Sequence, residues 1–353
     1  MSEAGGADGP LPDLFARLIA NTGPISLQYY MGEANARYYA SRDPLGAAGD
    51  FVTAPEISQM FGELVGLWLT DLWARAGRIA PVHYVELGPG RGTLARDALA
   101  AARQHGLVPR VHFIEGSAAL KPLQLAAVPE AEWHHALSSV PRNGPILLVA
   151  NEFLDALPIR QLVMTPQGWR ERMVGLEDGR LVPVAGTQPM DAAVPEAQRD
   201  APEGAIVETC PAAAATVYEV AGRMVKQGGA AQYVDYAHAE PRFGSTFQAV
   251  RAHAMVDPFA TPGEADLTAH VDFATLARVA QSRGAACCGV TTQGDWLRAL
   301  GIDLRAQALS KAAPDQAEAI ETARTRLVEP AQMGALFKVM GLTAPNWPEA
   351  AGF

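Results

Sequence analysis

The chain has 353 residues, 49% of them hydrophobic, enough for one large core or a core with an appended subdomain, so a disordered chain is not expected. A formal net charge of -10 argues against a nucleic-acid backbone binder and favours basic or neutral partners. The three cysteines, Cys210, Cys287 and Cys288, offer neither a disulfide framework nor a Cys-x-x-Cys zinc spacing. With a start unlike a signal peptide and no apolar run approaching the ~18 residues of a membrane span, they lead to the expectation of a cytoplasmic protein without membrane insertion.

Residues 1 to 10 are rich in Gly, Ala and Pro and read as loose, followed by short helices over 13–20 and 26–40. A turn-rich stretch, RDPLGAAGDFVTAPE, interrupts them. From Ile57 onward, Met60, Phe61, Leu64, Trp68 and Leu72 recur at helical spacing, which predicts an amphipathic helix over 57–75. Residues 1–78 thus read as a helical N-terminal subdomain. Strands are predicted at 82–87, 110–115 and 146–150, with a helix at 93–105, and this alternation implies a parallel α/β sheet. RQLVMT, WRERMVGL and RLVPVA, separated by hairpin-type turns, predict a β-meander inserted at about 160–204. AIVET, a helix over PAAAATVYEVAGRMVKQ and the strand AAQYVDY are read as the doubly wound sheet resuming. A loop-rich segment at about 238–268 precedes a helix near 271–283 and the strand AACCGVTT. The core is therefore placed at 79–290, and residues 291–353 are expected to be helical with a closing strand, LFKVMGL.

The stretch VELGPGRGTLARDAL puts Gly88, Gly90 and Gly92 at the first strand-to-helix turn, where open parallel sheets bind ligands and bare backbone allows close approach. Thr93 stands where a dinucleotide fingerprint wants a small residue, which weakens a nicotinamide reading, and the Gly-Lys-Ser/Thr ending of a P-loop is missing. Glu86 would repel a pyrophosphate but would attract a cation. S-adenosylmethionine carries a sulfonium and an ammonium, and Glu115, at the end of the second strand, stands where such folds bind ribose hydroxyls. The plainer alternative makes Glu86 a backbone cap and Glu115 a surface charge.

VELGPGRGTLARDAL, preceded by GDFVTAPEISQMFGELVGLWL and followed by NEFLDALPIRQ, resembles the MidA-type family of S-adenosylmethionine-dependent methyltransferases. Later blocks, VDYAH, FQAVRAH, DPFATPGEADLTAHVDF and MGALFKVMGL, extend the likeness from about residue 11 to residue 345. The resemblance implies a class I, Rossmann-like methyltransferase sheet with a helical N-terminal addition. It also implies S-adenosyl-L-methionine as cofactor and, from mitochondrial members that assemble respiratory complex I, a protein arginine as acceptor. Ala237 departs from the glycine common in relatives and puts a local backbone turn in doubt.

An arginine acceptor must be held and must lose a proton as the methyl arrives, a task suited to carboxylates. Glu152 is the leading candidate for gripping it; Asn151 and Asp155 are site candidates that would equally serve as helix caps. The segment GDFVTAPEI is placed as a lid over the cofactor, with Gly49 and Pro55 shaping a turn and Asp50, Thr53 and Glu56 supplying polar groups; Thr53 or Ser58 would also suit an N-cap. His270 is either a satisfied structural histidine or a substrate-side proton relay, and Asp272 reads as a cap. His134 and His135, adjacent on a strand, point to opposite faces and cannot form a simple metal pair, and with no HExxH or EF-hand pattern no metal ligand set is expected. The leading function is a protein arginine methyltransferase, with the 160–204 insertion and the 238–268 loop as walls for a protein substrate. A small-molecule methyltransferase and a catalytically silent assembly chaperone are the alternatives.

Overall fold

The computed structural model describes residues 10–41 and 52–353. The start expected to be loose and most of the turn-rich stretch, with Gly49 and Asp50, lie outside the described residues. The chain groups into two units, one of Met1–Arg42, Ala156–Ala212 and Arg242–Ala269, the other of Asp43–Asp155, Ala213–Pro241 and His270–Phe353.

The larger unit is built on an eight-stranded sheet. In chain order its long strands are His83–Leu87, Arg110–Ile114, Glu132–His134, Ile146–Asn151, Gly229–His238, Ala286–Thr292 and Phe337–Thr343; the two-residue strand Val271–Asp272 pairs with the end of the fifth. Across the sheet they run sixth, seventh, fifth, fourth, first, second, third, and the seventh alone is antiparallel to its neighbours. The chain order reverses between the first and fourth strands, which pair directly. Such a reversal opens a crevice at the carboxyl ends of the strands. Ile146 to Ala150 form a continuous apolar run, buried throughout, as a strand covered on both faces requires.

Helix Gln59–Arg75 starts at Ser58, whose hydroxyl accepts from Met60 N–H, and lies against helix Thr93–Gln104. A Cβ on Gly66 would stand 2.1 Å from Ala98 O, so the two backbones meet with no side chain between them. This helix, read from sequence as part of a helical preface ending at residue 78, groups with the sheet. Its partner lies downstream, and periodicity gives a face but not what covers it.

The smaller unit joins three chain segments through Asn35. The buried Asn35 amide donates to Ala156 O and Leu267 O and accepts from Leu267 N–H, at 2.9, 2.8 and 3.1 Å. Helix Leu11–Thr22 contributes Leu11, Phe15 and Ile19 to the core, one face at helical spacing. The expected meander is present as Arg160–Thr165, Gly168–Glu177 and Arg180–Pro189.

Two readings change here. Ile206–Thr209 does not return to the parallel sheet but pairs antiparallel with Arg160–Thr165. Val207 alone of its four residues is buried, beside Leu162, Trp169 and Val194, and one-sided burial suits an antiparallel edge. The 238–268 segment holds a three-stranded sheet, Gln248–Arg251, Ala254–Val256 and Asp266–Thr268. Its hairpin turns at Ala252 and His253, with φ of 50° and 59°, a left-handed turn without the usual Gly or Asn signal.

Candidate cofactor and active site

The first strand ends at Leu87, and Gly88, Gly90 and Gly92 follow with φ of 61°, 54° and 81°. All three occupy the left-handed region, which glycine enters without steric cost. A Cβ on Gly88 would lie 2.7 Å from the Phe153 ring, so a side chain there would strike the turn's floor. Gly92 leads into helix Thr93–Gln104.

Glu86 is buried, and its Oε2 accepts the Tyr84 hydroxyl hydrogen at 2.6 Å. Burial pushes its carboxyl up to about 8, with the Tyr84 hydrogen bond opposing. Glu115 Oε1 accepts Ser117 N–H at 2.6 Å and its Oε2 accepts Gln124 Nε2–H at 3.0 Å. The same Gln124 Nε2 donates to Gly90 O at 2.8 Å, while its Oε1 accepts the Trp133 indole N–H at 2.8 Å. Gln124 is wholly buried with every polar atom engaged. It couples the glycine turn to the acidic end of the second strand.

The segment around Ala54–Ile57 is fastened at two points. Ala54 N–H donates to Glu152 Oε1 at 3.0 Å, and Glu56 Oε1 accepts the Thr93 hydroxyl hydrogen at 2.5 Å with Arg91 3.6 Å from its other oxygen. Glu152 has φ of 51°, donates its N–H to Val234 O at 2.8 Å and accepts Asn151 Nδ2–H at 3.1 Å. Asn151 Oδ1 is buried and has no hydrogen-bond partner among the described residues.

Asp235 Oδ2 accepts from the N–H groups of Phe153, Leu154 and Asp155 at 3.2, 2.8 and 3.4 Å. Burial raises the Asp235 carboxyl above the usual range and Glu152 adds to this, while the backbone donors oppose it. No helix follows the fourth strand, so Asn151 and Asp155 are not helix caps; the chain turns through Glu152 and Asp235 holds the turn. Thr53 occupies an N-cap position without a side-chain cap bond, whereas Asp272 caps helix Phe273–Ser282 through Thr275 N–H at 3.0 Å. His270 stacks on Tyr236, ring centroids 6.1 Å apart. Ala237 lies within the fifth strand, paired with Val271, so no turn is needed there.

The structure thus gathers the candidates into two groups and a remainder. Glu86, Gly88, Gly90, Gly92 and Glu115 stand at the ends of the first two strands, the turn and Glu115 linked through Gln124. Asn151 and Glu152 join the Ala54–Ile57 segment through the Ala54 N–H, next to Thr53. Asp155 belongs with Asp235, and His270 with Tyr236. Gln124, Asp235 and Tyr84 escaped sequence reasoning. A lone acid inside the apolar run AAQYVDY was the one legible signal, for Asp235.

A family model described as S-adenosyl-L-methionine-dependent methyltransferase matches residues 64–291. The chain belongs to this family. Curated relatives named protein arginine methyltransferase NDUFAF7, mitochondrial, include the Danio rerio protein, 36% identical over 93% of this chain and 85% of its own length. The human protein of that name is 34% identical, over 95% of this chain and 84% of its own. A crystal structure from Burkholderia thailandensis with bound S-adenosyl-homocysteine has a TM-score of 0.82 at 27% identity, covering 96% of this chain and 93% of that one. The expected cytoplasmic location does not stand, because these relatives are designated mitochondrial. No helix among the described residues is long and apolar enough to cross a membrane.

This methyltransferase uses S-adenosyl-L-methionine, and the residues present suit it. Three left-handed glycines open the backbone, two carboxylates flank it, and the buried Asn151 Oδ1 retains an unused acceptor. A ligand with two positive centres and a ribose diol matches that donor and acceptor set.

Proposed function

We propose that this methyltransferase methylates an arginine of a protein substrate, such as a subunit of respiratory complex I. The observation that carries the reading is the group of carboxylates beside the glycine turn: Glu152, fixed to Ala54 N–H at 3.0 Å, and Asp155 on the turn after the fourth strand, with Asp235 of the fifth strand accepting that turn's backbone N–H groups. The relatives' designation as protein arginine methyltransferases and the likeness to the complex I assembly family support the acceptor class.

When bound, the cofactor supplies an electrophilic methyl group on sulfur. Glu115, aimed by Gln124 and Ser117, would receive the ribose hydroxyls, and Glu86, ionising as the cation binds, would offer negative charge to the cationic end. Glu152 would hold the acceptor guanidinium and localise its charge, orienting one nitrogen for attack. Asp155 assists as a second carboxylate, and His270 relays the released proton outward. The Ala54–Ile57 segment, tied to Glu152 and Thr93, excludes water. The charge of -10 favours docking of a basic polypeptide segment.

Incubation with methyl-tritiated cofactor and a mitochondrial or bacterial protein extract tests the reading. Label in methylarginine after acid hydrolysis of the protein fraction is the expected result. Label confined to small molecules would replace the acceptor class, and cofactor binding without any transfer would favour a silent scaffold.

A further inference from the structure

Three histidines from three adjacent parallel strands form one hydrogen-bonded row on the sheet face opposite Tyr84, Phe113 and Trp133. His83 Nδ1 lies 2.9 Å from His112 Nε2, and His112 Nδ1 lies 3.0 Å from His134 Nε2. The ends of the row meet Asn143 Oδ1, 2.9 Å from His83 Nε2, and Ser139 Oγ, 2.8 Å from His134 Nδ1. The sequence does not announce the set, because strand pairing, not chain spacing, assembles it.

The end partners determine where the protons sit. Asn143 Oδ1 only accepts, so His83 carries its hydrogen on Nε2 and its Nδ1 accepts from His112 Nε2–H. Ser139 donates its hydroxyl hydrogen to Ala136 O at 2.9 Å, so it accepts N–H from His134 Nδ1. Each neutral ring has then placed its one hydrogen. His112 Nδ1 and His134 Nε2 are left facing each other, each with a lone pair and no hydrogen between them. Such a pair calls for a cation. Glu132 Oε2 lies 3.7 Å from His112 Nδ1, and the donor atoms of His112, Glu132 and His134 all fall within 4.8 Å of one another.

We propose that His112 Nδ1, His134 Nε2 and the Glu132 carboxylate form a binding site for one divalent metal ion of the zinc class. Two imidazoles and a carboxylate are the donor types that such ions prefer. Tetrahedral zinc, with Zn–N of about 2.0–2.1 Å, places two nitrogens about 3.3 Å apart, so the present spacing needs only a slight opening. His83 and Ser139 act as the outer partners that fix ring tautomers in metal sites. His112 is buried and Glu132 is exposed, so the ion enters from the Glu132 side and keeps a position for water. The site lies on the strands themselves and joins the second and third strands at the sheet edge, where His134 O accepts Glu115 N–H at 3.1 Å.

Calorimetric titration of the full chain, stripped with chelator, against Zn2+ alone tests this. One equivalent is expected to bind with a dissociation constant in the micromolar range or tighter. Glu132→Gln, at an exposed position where folding is not at stake, should weaken binding at least about tenfold, and His134→Asn should abolish it. Co2+ in place of Zn2+ should give a visible absorption band that the His134→Asn chain lacks. The proposal is overturned by no saturable binding up to about 1 mM Zn2+, or by binding that both variants leave unchanged. The first outcome would mean that the Asn143 amide is reversed and every gap in the row holds a hydrogen. Neither readout depends on methyl transfer, and S-adenosylhomocysteine binding by the same preparation reports separately on the cofactor site.

Discussion

Gln124 Nε2 stands 3.0 Å from Glu115 Oε2 and 2.8 Å from Gly90 O, so a single buried amide fixes the glycine turn and the second strand's acidic end to each other. The carboxylate is thereby aimed before any ligand arrives. Gln124→Ala should raise the dissociation constant for S-adenosylhomocysteine about tenfold, the worth of one charge-assisted hydrogen bond. Calorimetry checks this; an unchanged affinity with a lowered melting temperature would make Gln124 purely structural.

Cofactor affinity should depend on pH through Glu86. Its folded-state carboxyl, raised by burial to about 8, holds a proton at neutral pH, while a cationic ligand favours the ionised form. Affinity should therefore rise with pH and level off above about 8, and Glu86→Gln should flatten the profile. The same shift has a stability sign: the contribution is fully present below the unfolded value of 4.5 and is lost as pH rises through about 8. Thermal melts of the ligand-free wild-type and Glu86→Gln chains across that window should converge at acid pH and diverge in favour of Gln at alkaline pH.

The two ends of the site should separate kinetically. Glu115→Ala should weaken cofactor binding about tenfold or more, whereas Glu152→Ala should mainly lower kcat, by about 100-fold, through lost acceptor grip and a loosened Ala54 N–H. Steady-state kinetics with both substrates varied would read the split, and the reverse pattern would exchange the two roles.

Packing of helices Gln59–Arg75 and Thr93–Gln104 depends on a bare Gly66. Gly66→Ala places a methyl 2.1 Å from Ala98 O and should cost about 1–3 kcal/mol as the helices part. Urea denaturation would measure this loss.

The strand-helix alternation from residue 83 to 151 was legible because its strands are short apolar runs bounded by turn formers. The glycine turn was legible for the same local reason. What stayed hidden depends on partners distant in sequence. Gln124 looks like any polar helix residue until Gly90, Glu115 and Trp133 surround it. Ile206–Thr209 carries strand propensity but no mark of which sheet it joins, and the Ala252–His253 turn lacks the glycine that would announce a hairpin. The boundary at residue 78 followed a change in local pattern, whereas the compact units gather distant segments, as the Asn35 bonds to Ala156 and Leu267 do.

A crystal structure of this methyltransferase with S-adenosylhomocysteine decides whether the glycine turn and Glu115 hold the cofactor. The ribose hydroxyls are expected within hydrogen-bond distance of Glu115 and the amino-acid end along Gly88 to Gly90. Ligand density away from that turn, or ribose hydroxyls facing some other side chain, would contradict this placement.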